Sequence, residues 1–148
     1  MTARRASAAA SPAGEAAGWH VVELGAVAST MEEARRRAEA GAVDRTVVRA
    51  AQQTGGRGRM GRQWSSPPGN VYMTAILRPD APTARAAELS IVSAVALADA
   101  VASFGGDVVL KWPNDVLLNG GKVAGVLLEA VAEGSVLEAV LIGIGVNV

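Results

Sequence analysis

The stretch "VLLNGGKVAGVLLEAV", residues 116–131, contains two apolar runs that are joined by Asn119-Gly120. An Asn-Gly pair in this setting is typical of a two-residue β-hairpin turn, because both positions must adopt positive φ angles. A second turn at Glu133-Gly134 leads into "VLEAVLIGIGVNV", residues 136–148. These successive hairpins predict antiparallel strands in the C-terminal part of the chain.

The sequence before these hairpins predicts two helices and further strands. We expect one helix from Ser29-Thr30 to about residue 40, because Ser29 followed by Glu32 matches a capping box. A second helix, roughly 83–104, is apolar on most sides and is expected to be largely buried. Strands are predicted at 19–25, 45–53, 70–77 and 107–112. The sequence therefore predicts a single α+β domain with a mixed or largely antiparallel sheet flanked by helices.

Composition excludes several kinds of function. Lys plus Arg and Asp plus Glu each number 14, which disfavours general binding to polyanions. The chain has no cysteine and one histidine, His20, so Cys-ligated metals, thiolate nucleophiles and a Ser-His-Asp triad are disfavoured. The apolar run at 89–102 is too short to span a membrane. We interpret residues 1–18 as a disordered Ala-rich tail, and we expect a cytoplasmic location.

The stretch "QQTGGRGRMGRQW", residues 52–64, contains four glycines and three arginines. Glycines let backbone N–H groups approach an anion, and guanidinium groups bind phosphate oxygens in a bidentate manner. The same composition also fits a mobile linker or a basic arm, and these residues alone do not decide between the possibilities. Trp64 can stack on a base or anchor the end of the loop in the core.

Three further groups of polar residues allow two interpretations each. The stretch "KWPNDVLLNGGK", residues 111–122, fits a turn flanked by solubilising lysines, but its lysines and Asp115 also suit a site for anions or amines. Ser29-Thr30 caps a helix, and such a helix N-terminus can also bind a polar ligand. Two glycines in the strand pattern "GIGVN", residues 143–147, indicate a bulge or the close approach of a ligand.

Together and in this order, the motifs resemble the biotin protein ligase (biotin–[acetyl-CoA-carboxylase] ligase) family. The matching stretches are Ser29-Thr30, "QTGGRGRMGRQW" (53–64), "KWPNDVLL" (111–118), "GGKVAGVLLE" (120–129) and "IGIGVNV" (142–148). The resemblance implies that residues 19–148 form a catalytic domain related to class II aminoacyl-tRNA synthetases. It also implies a two-step reaction. Biotin and ATP give biotinyl-5′-AMP, and a lysine of a biotin carboxyl carrier protein then displaces AMP.

The resemblance implies a role for each matching residue. The implied catalytic residues are Arg59, Lys122 and Asp115. Biotin would be bound by Ser29, Thr30, Met31, Gln53, Gly56, Arg57, Gly58, Arg59, Lys122, Gly125, Gly143 and Gly145. The nucleotide would be bound by Arg57, Arg59, Trp64, Lys122 and Asn147. Mg²⁺ would be held mostly by phosphate oxygens and water, so no protein metal ligands are expected.

The sequence departs from the family's pattern in three ways. Met31 stands where the family usually has Asn, so only a backbone contact is carried over to this position. About 18 residues precede the first predicted strand, and we therefore expect no DNA-binding domain. The family usually continues beyond the position that corresponds to Val148, which suggests a domain truncated at its C-terminal end.

Alternatives remain open at this stage. They are a lipoate or octanoate ligase on the same fold, a non-catalytic biotin-binding module and a nucleic-acid-binding protein, the last disfavoured by the neutral net charge. The expected partners are biotin, ATP and a carrier protein, without DNA or a membrane. An exposed sheet edge would permit a homodimer.

Overall fold

The computed structural model describes residues 14–16 and 18–148. Its strands are β1 (Gly14–Ala16), β2 (Trp19–Val27), β3 (Thr46–Gln53), β4 (Val71–Leu77), β5 (Val108–Lys111), β6 (Asp115–Leu118), β7 (Gly121–Glu133) and β8 (Val136–Val146). Its α-helices are α1 (Thr30–Glu39) and α2 (Ala86–Ala102). None of the helices described is long and apolar enough to cross a bilayer.

The described strands form one sheet in the order β1-β2-β3-β4-β8-β7-β6-β5. Strands β2 and β3 are parallel and are connected through α1, whereas the other neighbouring strands pair antiparallel. Asn119 and Gly120 both have positive φ, at 50° and 83°, and connect β6 to β7 as a tight turn. The predicted α+β fold with a mixed sheet is confirmed.

The two helices pack on opposite faces of the sheet. Alternate residues of β8 belong to different core clusters, because successive side chains of a strand point to opposite faces. Ala139 and Leu141 pack in the cluster that contains Met31 of α1. Val140 and Ile142 pack in the cluster that contains Ala94 of α2.

Two predictions about packing and order are corrected by the structure. Helix α2 is not largely buried, because only its small residues Ala86, Ala94 and Ala98 are fully covered. Its outer face is apolar but exposed, with Val92 at 61% exposure. Gly14–Ala16, which were predicted to be disordered, form β1 and pair antiparallel with β2. The rest of the predicted tail, apart from Gly18, lies outside the described residues.

Arg78, directly after β4, holds three parts of the α1 face together. Its guanidinium donates hydrogen bonds to the carbonyls of Ala38 (2.8 Å), Ala42 (2.8 Å) and Glu138 (3.0 Å). Ala38 lies near the end of α1, Ala42 in the loop that follows, and Glu138 in β8. A planar guanidinium satisfies these divergent acceptors together, whereas a lysine ammonium is a single point charge.

We expect Arg78→Lys to lower the free energy of unfolding by about 1–3 kcal/mol, because partly buried carbonyls lose their donors. Arg85→Lys is the matched control, since Arg85 hydrogen-bonds through its side chain to exposed Glu88. The control should change stability by less than about 0.5 kcal/mol. Urea denaturation of both variants measures the difference. Equal effects would show that the Arg78 contacts do not stabilise this face.

Candidate functional site

A cavity of about 500 Å³ opens on the sheet between the N-terminus of α1 and the glycine-arginine loop that follows β3. Its volume lies within the range of ligand-binding pockets. Because β2 and β3 are parallel, the N-terminus of α1 and the end of β3 lie at the same edge of the sheet. The fold thus brings Ser29, Thr30 and Gln53 together at one end of the cavity.

This polar end of the cavity is built around the Gln53 side chain. Its Oε1 accepts hydrogen bonds from the Thr30 backbone N–H (2.8 Å) and from Thr30 Oγ1 (3.1 Å). Its Nε2 donates to Ser66 Oγ at 3.0 Å. Thr30 Oγ1 in turn accepts from Thr74 Oγ1 at 2.9 Å. Since a backbone N–H can only donate, the amide oxygen must face Thr30 and the amide nitrogen must face Ser66.

Some hydrogen-bonding capacity is left over at this end of the cavity. Ser29 Oγ accepts from the Met31 backbone N–H, which caps α1 and leaves the hydroxyl hydrogen of Ser29 available. Thr30 Oγ1 keeps one lone pair, and Gln53 keeps one amide hydrogen. Ser29 and Thr30 are buried, so groups left unpaired here are costly. Glu32, predicted to complete the capping box, instead forms an ion pair with Arg57.

The other end of the cavity is rich in cations. The basic residues that line it are Arg57, Arg59, Arg62, Lys111 and Lys122, and Asp115 is the acidic residue among the described lining residues. Arg59 donates to the side-chain oxygen of buried Asn114 at 3.4 Å. Lys122 forms an ion pair with Asp115 at 2.8 Å. Although the chain has no net charge, this end of the cavity is positive.

Trp64 lines the cavity and packs against two of the glycines that were predicted to belong to the site. A methyl group at Gly145 would lie 2.8 Å from the indole, and one at Gly125 would lie 3.6 Å from it. The ammonium of Lys122 lies 5.1 Å from the centroid of the Trp64 ring, within cation–π range. The indole N–H is buried against Gly145 and has no hydrogen-bond partner among the described residues.

Most of the predicted site residues line the cavity. They are Ser29, Thr30, Met31, Gln53, Arg57, Gly58, Arg59, Trp64, Asp115, Lys122, Gly125, Gly143 and Gly145. Gly143 lies against Met31, since a methyl group there would be 2.8 Å from the Met31 methyl carbon. Gly56 and Asn147 do not line the described cavity. Gly56 is instead buried within the loop, against Ser66 and the Trp64 carbonyl.

Thr74 and Ser66 lie outside the sequence motifs, although each hydrogen-bonds to a predicted site residue. Thr74 is fully buried in β4, between Tyr72 and Ile76 on the same face of the strand. Thr74 is a polar residue at one of the alternating positions of "VYMTAIL" that face the core, and this pattern could have identified it. Ser66 is also buried, but its neighbours in the sequence are serine, proline and glycine, which are typical of a loop.

Within residues 14–16 and 18–148, no cluster of His, Cys, Asp and Glu residues is positioned to hold a metal ion. Among the described residues that line the cavity, Asp115 is the carboxylate that could contribute an oxygen ligand to a cation.

Comparison with known proteins gives consistent results. The model of the biotin/lipoate A/B protein ligase family matches residues 26–147. The bifunctional ligase/repressor BirA of Bacillus spizizenii is 42% identical over 136 residues, which are 90% of this chain and 42% of that protein. The biotin–[acetyl-CoA-carboxylase] ligase of Paracoccus denitrificans is 52% identical over 103 residues, which are 68% of this chain and 43% of that protein.

Solved structures show the same fold. The biotin protein ligase from Aquifex aeolicus in complex with biotin and ATP aligns with a TM-score of 0.71 at 34% identity, over 86% of this chain and 52% of that one. The chain thus spans about half of the length of that structure and less than half of the two curated relatives.

We expect Gly145→Ala to displace the Trp64 indole and to lower the free energy of unfolding by about 1–3 kcal/mol, as overpacking does. Gly25→Ala, in β2, is the matched control because a methyl group there meets nothing within 4 Å. Tryptophan near-UV circular dichroism and urea denaturation measure both effects. If the two variants behave alike, the indole does not pack on Gly145 in solution.

Proposed function

Because the chain belongs to the biotin/lipoate A/B protein ligase family, we propose that it activates biotin with ATP and transfers it to a carrier-protein lysine. The observation that carries the choice of biotin is the hydrogen-bonding pattern at the polar end of the cavity. The names of the curated relatives and the biotin and ATP bound to the Aquifex aeolicus ligase support it.

The unused groups at the polar end match a cyclic urea. The Ser29 hydroxyl and the remaining Gln53 amide hydrogen can donate to a urea carbonyl, and the Thr30 lone pair can accept from a urea N–H. A lipoyl dithiolane has no N–H donor, and its sulfur atoms are weak acceptors. Such a ligand would leave buried polar groups unpaired, and this kind of mismatch discriminates strongly between ligands. These groups therefore favour biotin over lipoate.

The cationic end suits the first step of the reaction. An oxygen of the biotin carboxylate attacks the α-phosphorus of ATP, the bond to the β-phosphate oxygen breaks, and pyrophosphate leaves with the electron pair. Negative charge develops on the phosphorus oxygens, where Arg57, Arg59 and Lys122 would stabilise it. No nucleophilic side chain is required, because the substrate carboxylate is the nucleophile.

In the second step, the carrier lysine amine attacks the acyl carbon of biotinyl-5′-AMP, and AMP leaves. In this proposal Asp115 would hold the incoming amine, and Trp64 would contact the adenine with its ring. ATP would enter as its magnesium complex, with the ion coordinated by phosphate oxygens and water, which neutralises phosphate charge. A cytoplasmic location is part of the proposal and agrees with the absence of cysteine.

The proposal is tested by pyrophosphate release from ATP and Mg²⁺ with biotin, lipoate or octanoate as the acid. We expect release with biotin alone of the three. Release only with lipoate or octanoate would show that the assignment to biotin is wrong. Biotin binding without any release would favour a non-catalytic binding module.

We expect Arg59→Ala to weaken the affinity for biotinyl-5′-AMP by about 10- to 150-fold, because a hydrogen bond to a charged group contributes about 1.5–3 kcal/mol. Arg36→Ala is the control, since this exposed arginine of α1 pairs with Glu33 and does not line the cavity. Competition binding against labelled biotin measures the change. Unchanged affinity in Arg59→Ala would remove the phosphate-binding role.

A further inference from the structure

A directional chain of hydrogen bonds runs from β4 to the end of the glycine-arginine loop. Thr74 donates to Thr30, Thr30 to Gln53, and Gln53 to Ser66, at 2.9, 3.1 and 3.0 Å. Ser66 Oγ then donates to the Trp64 backbone carbonyl at 3.0 Å. The hydroxyls of Thr30 and Ser66 each accept one of these hydrogen bonds and donate the next, so the series links the polar end of the cavity to Trp64.

Ser66 is the member of this hydrogen-bond series whose role no sequence motif indicates. It is 5% exposed, and its hydroxyl lies where a methyl group on Gly56 would collide with it at 2.5 Å. The surrounding main chain is also fixed, since Gln53 N–H donates to the Ser66 carbonyl (3.2 Å) and Trp64 N–H donates to the Gly56 carbonyl (2.9 Å). The Ser66 hydroxyl therefore has little freedom to find other partners.

The last hydrogen bond of the series holds the backbone of the residue that carries the indole, Trp64. Trp64 packs on Gly145 and lies beside the Lys122 ammonium, so a shift of its backbone carries the ring and changes the position available to that ammonium. At the polar end of the cavity, a bound ligand would change the hydrogen bonding of the Gln53 amide. A urea carbonyl that accepts the last Gln53 amide hydrogen restricts the amide on which Ser66 depends.

We propose that Ser66 is a positioning residue that couples occupation of the polar end to the placement of Trp64, and thereby couples biotin binding to nucleotide binding. This inference rests on the function proposed above. It requires no contact between Ser66 and either ligand. Because coupling between two sites is reciprocal, biotin and nucleotide must alter each other's affinity by the same factor.

The test is calorimetric titration of biotin with and without α,β-methylene-ATP, an analogue that cannot release pyrophosphate. In the wild-type protein we expect each ligand to tighten the other by about 5- to 150-fold. Ser66→Ala should bring this factor toward unity while each ligand still binds alone. The neighbouring Ser65→Ala is the matched control, since Ser65 is exposed, and it should keep the wild-type factor.

A second readout follows Trp64 itself. In a Trp112→Phe background the remaining tryptophan at the cavity is Trp64, because Trp19 lies in β2 and does not line it. Biotin has no aromatic ring. A change in tryptophan fluorescence on adding biotin therefore reports a changed environment of Trp64. We expect biotin alone to cause such a change in this background, and Ser66→Ala to reduce it.

The outcomes separate the two proposals. Wild-type coupling in Ser66→Ala, or no coupling in the wild-type protein although both ligands bind, overturns the role of Ser66 alone. No biotin binding by the wild-type protein overturns the proposed function and this inference with it. If Ser66→Ala fails to fold, Ser66→Cys keeps a similar shape with a somewhat larger and weakly hydrogen-bonding thiol, and full coupling in that variant overturns the inference.

Discussion

The hydrogen bond from the Thr30 backbone N–H to the Gln53 side chain joins the N-terminus of α1 to the end of β3. It is possible because β2 and β3 run parallel, which places the start of their connecting helix beside the end of the second strand. This single contact fixes the orientation of the Gln53 amide. The hydrogen-bonding character of the polar end, and with it the proposed preference for a urea over a dithiolane, depends on that orientation.

Positive charge is concentrated at the cavity of this protein and is not a property of the chain as a whole. Equal numbers of acidic and basic residues leave the chain without net charge. The cavity nevertheless concentrates five basic side chains against one carboxylate, and that carboxylate is already paired with Lys122. The proposed binding of an anionic substrate group therefore depends on the charges at this cavity and not on the net charge of the chain.

The sequence predicted the features that depend on local patterns. The Asn119-Gly120 turn, the Ser29 cap and the cationic loop each have a local cause, and the structure has all three. Features that depend on tertiary neighbours were not predictable. The apolar composition of α2 suggested a buried helix, but its buried residues are alanines, Leu89 and Leu97 are only partly buried, and Val92 is exposed. Ser66 is likewise unremarkable in sequence and acquires its role from Gln53 and Trp64.

The contact between Trp64 and Gly145 also limits how the sequence can change over time. With the indole in place, any side chain at Gly145 collides with it, whereas a smaller residue at position 64 would leave room for one. The effect of a substitution at either position thus depends on which residue occupies the other. A side chain at position 145 should therefore destabilise the protein less once a smaller residue stands at position 64.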